Sequence, residues 1–396
     1  MSAGTRKKIK KILAMIPPIK KGMVGMKMRM LKKYSLSEHT ISQGEESSDN
    51  RIAIVRDCEK KWPKHVAELN GMIDEYFAKI PNLLSGRDVD MLRTDVLFNA
   101  LAYGFTADEY FSFHLEGKTQ AEKREYISDL DRYILVYQLN DFVDLDIFRD
   151  KFSVYKRLKP YYKREAICIE TESDYSRFKA FIEKHPVFVR KTIGKSRGKG
   201  VSLIDCATAG MSEAELFSSL ISMGKQMLEE RIIQTPEMSA VNPSSINTVR
   251  CPTLRTKRGV ELAPCRFRVG QGGSFVDNSG SGGISVSVDR DTGILETNGW
   301  DEYGKEYVSH PESGVAFLGH QLPDWDLLVR TVKEMANEVP GMGYISWDMA
   351  HTANGWVIVE ANGQGQFIGA QMDLQRGIKK EILEQLDGML SPKFIF

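Results

Sequence analysis

The chain lacks any run of 18 uncharged apolar residues, so no membrane-spanning helix is expected. It has only five cysteines, Cys58, Cys168, Cys206, Cys251 and Cys265, odd in number and without CxxC spacing. That scatter implies neither a paired-cysteine zinc site nor a disulfide framework, and it reads as reduced thiols in a cytoplasmic protein. There is no GxxxxGK[ST] phosphate loop, and residues 51–140 carry no glycine fingerprint. Net charge is nearly absent as well, +1 over 396 residues. What is present is an ordinary globular composition, 42% hydrophobic and 27% charged. It excludes a disordered chain or a collagen-like repeat and leaves room for two or three lobes.

The small total hides an asymmetry. Residues 1–40 hold eleven Lys/Arg against one acidic residue, Glu38, a net of +10, so the remainder carries −9. Such a split assigns the tail a separate job. Thr5 to Ile16 places Ile9, Ile12, Leu13 and Ile16 on one helical face with lysines over the rest. Pro17-Pro18 stops that helix, and IKKGMVGMKMRMLKK repeats the mix of Met, Ile, Lys and Arg. A basic, Met-rich, amphipathic segment suits an anionic membrane surface or an acidic partner, and a solvated basic extension fits equally well. No nucleic-acid partner is expected.

Polar, Gly/Ser/Glu-rich residues 41–50 read as a linker, with the tail ending near residue 45. Residues 46–150 have helical character, for example Val66, Leu69, Ile73 and Phe77, or Tyr126, Leu130, Ile134 and Tyr137. After Phe152 short strand-like runs alternate with helices: AICIE, VFVRKTI, VSLID, SINTVRCPTLRT, VELAPCRFRVG and GGISVSVD are the strand candidates. The chain is therefore expected to be α+β with a helical N-terminal region.

Near the C-terminus, GYISWDMAHTANGWVIVEANG reads as a β-hairpin. A three-residue loop, Ala353-Asn354-Gly355, sets Thr352 against Trp356 and Asp348 against Glu360, with Asn362 on the same face. Ile345, Trp347, Met349, Val357, Val359 and Ala361 then form an apolar face. Opposed carboxylates repel unless a cation lies between them, and hard oxygen donors suit Mg²⁺ or Mn²⁺. A solvent-facing polar hairpin is the alternative. In PVFVRKTIGKSRGKGVSLID, Arg190-Lys191 precede a loop with Gly194, Gly198 and Gly200, which fits a polyphosphate or a plain solvated turn. QMLEERIIQTPEM offers a strand end with Glu229, Glu230 and Glu237 to a purine and ribose. Arg250 and Arg268 lie on β-rich runs ahead of Asn278, where guanidinium forks can hold a carboxylate or a phosphoryl group.

Taken together, the order of these segments resembles the ATP-grasp superfamily over about residues 150–370. SSINTVR, HPESGVAFLGHQLPDW and GYISWDMA…WVIVEANG are most similar to its sugar-transfer-associated group. The resemblance implies an ATP-grasp fold over 151–396, with a smaller lobe to about residue 235 and a larger lobe after it. It further implies that Lys151 and Lys191 contact phosphates and that Ser196 to Gly200 cover them. Glu229, Glu230 and Ile232 would form the adenine hinge and Glu237 a ribose contact. Asp348, Glu360 and Asn362 would hold two Mg²⁺ ions, while Arg250, Arg268 and Asn278 hold acyl-phosphate oxygens. The implied activity is ATP-dependent joining of a carboxylate to an amine or amino acid. The implied acceptor is a sugar acid or amino sugar, free or lipid-linked, in cell-surface polysaccharide biosynthesis. A phosphotransferase to a hydroxyl and a nucleotide-binding module without turnover are the alternatives. A helical region replaces the Rossmann-like lobe usual ahead of such a body.

Overall fold

The computed structural model of the chain describes residues 17–194, 200–273 and 282–391. They fall into two compact units. One takes in Met1–Phe142, Glu302–Lys305 and Gln366–Phe396, the other Val143–Asp301 and Glu306–Gly365.

The first unit is helical around one apolar core. Val66, Ile73 and Phe77 are buried at the expected spacing, with Leu69 packed against them. Residues 41–50 are no linker. Glu38–Glu46 and Ser48–Lys61 are helices, separated only by Ser47, which caps the second. Ser37 accepts from the Thr40 amide and Ser47 from the Asn50 amide. Ile41 and Gly44 are buried, and a Cβ on Gly44 would lie 2.3 Å from the Phe98 ring. Tyr126 is buried but precedes its helix, which Ser128 opens at Asp129 through a capping box. The stretch Thr5 to Ile16 lies outside the described residues.

The second unit holds two antiparallel sheets. The smaller is ordered β1-β4-β2-β3, from Ala166–Ile169 (β1), Val187–Thr192 (β2), Val201–Asp205 (β3) and Gln226–Glu230 (β4). Helices Tyr175–Lys184 and Glu213–Ser222 cover it through Phe178, Phe181, Phe217 and Leu220. The larger sheet is ordered β10-β9-β8-β7-β5-β11-β12, with β6 beside β5. Its strands are Thr248–Thr256 (β5), Gly259–Leu262 (β6), Cys265–Val269 (β7), Ile284–Val288 (β8), Gly299–Trp300 (β9), Glu306–Tyr307 (β10), Tyr344–Thr352 (β11) and Gly355–Asn362 (β12). The single run read as VELAPCRFRVG is two strands, because it breaks at Ala263-Pro264 while running along one edge of β5, whose other edge β11 holds. The architecture is α+β.

Candidate active site

The β11–β12 hairpin places Asp348 opposite Glu360 by a route the sequence did not suggest. Its loop has two residues, with Thr352 paired to Gly355 rather than Trp356. Gly355 takes a positive φ of 78°, which glycine tolerates without strain. That one-residue difference is undone by a bulge: Met349 pairs with Ile358 but Asp348 with Glu360, leaving Val359 as the extra residue. Between the turn and the bulge both faces are covered: Trp356, Val357 and Ile358 are buried, while Val359 is half-buried.

Asp348 lies in a row of charges running across the sheet. Arg266 on β7 faces Arg250 on β5, Arg250 faces Asp348 on β11, and Asp348 faces Glu360 on β12. The middle pair attracts, and each end pair would repel. Arg250 grips Asp348 with two hydrogen bonds of 2.7 Å, and Arg268 adds a contact of 3.1 Å while also donating to Thr248. Asp348 is 2% exposed. Burial pushes its carboxyl up, but the guanidiniums of Arg250 and Arg268 outweigh this and bring it down to about 2. Burial opposes the charge on Arg250, and Asp348 more than restores it, so Arg250 is held above its ordinary value. Thus the two arginines expected on the substrate engage Asp348. Asn278 lies outside the described residues.

Glu360 is paired with Lys151 at 3.0 Å. Lys151 opens the helix Lys151–Tyr162, which Asp150 caps by accepting from the Ser153 amide. Asn362 stands opposite Ser346, whose buried hydroxyl has no hydrogen-bond partner among the described residues. Two carboxylates and an amide oxygen are the hard donors that Mg²⁺ or Mn²⁺ takes. No cluster of three His, Cys, Asp or Glu forms among the described residues. A divalent ion at this end would therefore rest on Asp348 and Glu360 and draw further oxygens from Asn362 or from a ligand. The donor set fits.

A second cluster joins the two sheets. Glu229 on β4 accepts from Lys191 at 2.8 Å and from the Arg164 Nε at 3.0 Å. Arg164 donates in turn to the Ile358 carbonyl, and Lys191 to the Val359 carbonyl at 3.1 Å. Successive carbonyls of a regular strand point to opposite sides, so the bulge is what turns both toward these cations. Burial alone would raise the Glu229 carboxyl, yet Arg164 and Lys191 hold it at about 2. Burial lowers Lys191, with Glu229 opposing. The Glu229 carboxylate is buried in this ion pair and lies against Lys191, so the hinge expected at Glu229 would use its backbone groups.

The other hinge residues are more open. The Glu230 carboxylate accepts from the Glu165 amide at 3.0 Å, Ile232 is half-buried, and Glu237 is exposed in the first turn of Pro236–Val241. Ser196 and Gly198 lie outside the described residues; Gly200, with φ of 85°, accepts from the Thr192 amide and closes the β2–β3 hairpin. The sequence reading missed Arg164 and Arg266. Arg266 stands two residues before Arg268 on the same face of β7, a spacing that could have revealed it. Arg164 precedes β1 with no pattern to mark it. Together Lys151, Arg164, Lys191, Arg250, Arg266 and Arg268 outnumber the three carboxylates two to one, which suits a polyanionic ligand.

The sugar-transfer-associated ATP-grasp model matches residues 131–387, well over half of the chain. The chain belongs to that family. No curated protein matches it in sequence. Among solved structures, this ATP-grasp protein is similar to an N5-carboxyaminoimidazole ribonucleotide synthetase in complex with ADP, with 12% identity and a TM-score of 0.37 over 57% of this chain and 47% of that one. The D-alanine-D-alanine ligase of Coxiella burnetii shares 10% identity with a TM-score of 0.36, over 63% and 58% of the two chains. A D-Ala:D-Ser ligase from Enterococcus faecalis shares 14% with a TM-score of 0.40, over 66% and 68%. The chain thus spans about half to two thirds of the length of these solved proteins.

Proposed function

We propose that this ATP-grasp protein is an ATP-dependent ligase that joins a carboxylate to an amine through an acyl phosphate. The observation that carries the reading is the row Arg266, Arg250, Asp348, Glu360. A sheet that sets like charges opposite each other at both ends is prepared for two ligands of opposite sign. A cation belongs at the Asp348/Glu360 end and an anion at the Arg250/Arg266 end. Mg²⁺ bound by Asp348, Glu360 and Asn362 would neutralise phosphate charge. Arg250, Arg266 and Arg268 present positive charge to anionic oxygens beside Asp348, and Lys151 and Lys191 add fixed positive charge along the phosphates. Glu230, Ile232 and Glu237 would take the nucleoside. No covalent nucleophile is needed, so positioning and electrostatics supply the rate.

Family membership favours a sugar acid or amino sugar of a cell-surface polysaccharide, joined to an amine or amino acid in the cytoplasm. The test is ADP release with Mg²⁺ across panels of sugar acids and amines, run with and without hydroxylamine. Ligation predicts acid-dependent ADP release, a hydroxamate when hydroxylamine is present, and an amide product with the right amine. A stable phosphoester without hydroxamate would make the protein a phosphotransferase, and nucleotide binding without any turnover would overturn both.

A further inference from the structure

The basic, Met-rich segment has a defined place in the first unit. Pro17–Leu31 is one helix, continued by the 3-10 turn Lys32–Tyr34. It packs on the helix Asp129–Leu139. Met28 is fully buried, and the Lys27 ammonium lies 4.6 Å from the centre of the Tyr137 ring. Docking on one side leaves the opposite side in solvent. Gly22, Met26, Arg29, Met30 and Lys33 are all exposed, and steps of four, three, one and three residues put them on a single strip. Met26 is 55% and Met30 61% exposed. The strip therefore alternates flexible apolar chains with cations, inside a segment whose 40 residues carry a net of +10.

We propose that this strip is a peripheral docking surface for an anionic phospholipid bilayer. Charge complementarity selects the occupant. The remainder of the chain carries −9 and is repelled by such a surface, so attraction is confined to this end. Unbranched Met chains fill an irregular, fluid boundary at little cost, and Arg and Lys reach phosphates from beside them. The strip is too short and too charged to insert deeply, so attachment is reversible and governed by salt. It adds an interaction surface that the nucleotide chemistry does not require.

The test is co-sedimentation of the full chain with phosphatidylcholine vesicles, with and without phosphatidylserine, at low and high salt. Binding is expected only with phosphatidylserine and is released by salt, as the screening length falls from about 10 Å at 0.1 M to about 3 Å at 1 M. The quadruple variant Met26→Gln, Arg29→Gln, Met30→Gln and Lys33→Gln keeps good helix formers and the buried Met28, and circular dichroism verifies that it stays folded. It should bind on the order of thirtyfold more weakly, roughly fivefold for each of two charges. Neutralising exposed Lys60 and Lys380 instead should leave binding unchanged. Equal loss in both sets, equal binding to uncharged vesicles, or binding to polyglutamate but not to vesicles would each overturn the proposal, the last in favour of an acidic protein partner.

Discussion

Replacing Glu229 by Gln keeps the side chain's shape and removes its charge, leaving Arg164 and Lys191 to face each other in the interior. The parent carboxyl is held at about 2 against an ordinary 4.5. Each tenfold in that equilibrium is about 1.4 kcal/mol, so pairing contributes about 3 kcal/mol to folding at neutral pH. Stripping one partner from a buried ion pair costs about 3–5 kcal/mol, in agreement. Because the folded pKa lies below the unfolded one, this contribution is complete above pH 4.5 and disappears as pH falls toward 2. The assay is urea unfolding of parent and variant from pH 7 down to pH 3. The gap between them should be about 3 kcal/mol at pH 7 and should narrow through the acid window. Asp348 titrates in the same window in both proteins, so the difference isolates Glu229. A variant as stable as the parent at pH 7, or a gap that does not change with pH, would refute the pairing argument.

Asp348→Asn, which carboxylate repulsion alone would make harmless or stabilising, is expected to cost about 3 kcal/mol, because it strips the counter-charge from buried Arg250 and Arg268. Urea unfolding checks the loss, and ADP release in the folded fraction should be abolished; a fully active variant would remove Asp348 from the site. Lys191→Ala should weaken ATP by at least about tenfold in titration calorimetry, the value of one charge-assisted hydrogen bond, and unchanged affinity in folded protein would count against a phosphate role. Gly365→Ala places a Cβ 2.3 Å from that of Ser346 and should destabilise by about 1–3 kcal/mol, which a thermal melt will report; an unshifted melt would show that the backbone there gives way.

The sequence by itself determined the element types of the second unit and the identity of most charged groups. Alternating apolar residues could sit still only as paired strands, and the order of the Lys/Gly, Glu-Glu, Arg and Asp…Glu-x-Asn segments carried the family. It also isolated the basic tail, since charge is additive and needs no coordinates to count. Residues 41–50 read as a linker because Ser and Glu serve turns and helix starts alike, whereas in the fold Ser47 caps Ser48–Lys61 and Gly44 packs against Phe98. What the tertiary structure alone decided was which charge meets which. Asp348 faces Glu360 only because a two-residue turn and a bulge at Val359 cancel. Arg250 reaches Asp348 across 98 residues of chain, and Arg164 reaches Glu229 across 65. Such pairings depend on strand order and register, quantities fixed by the burial of whole faces, which no local pattern encodes.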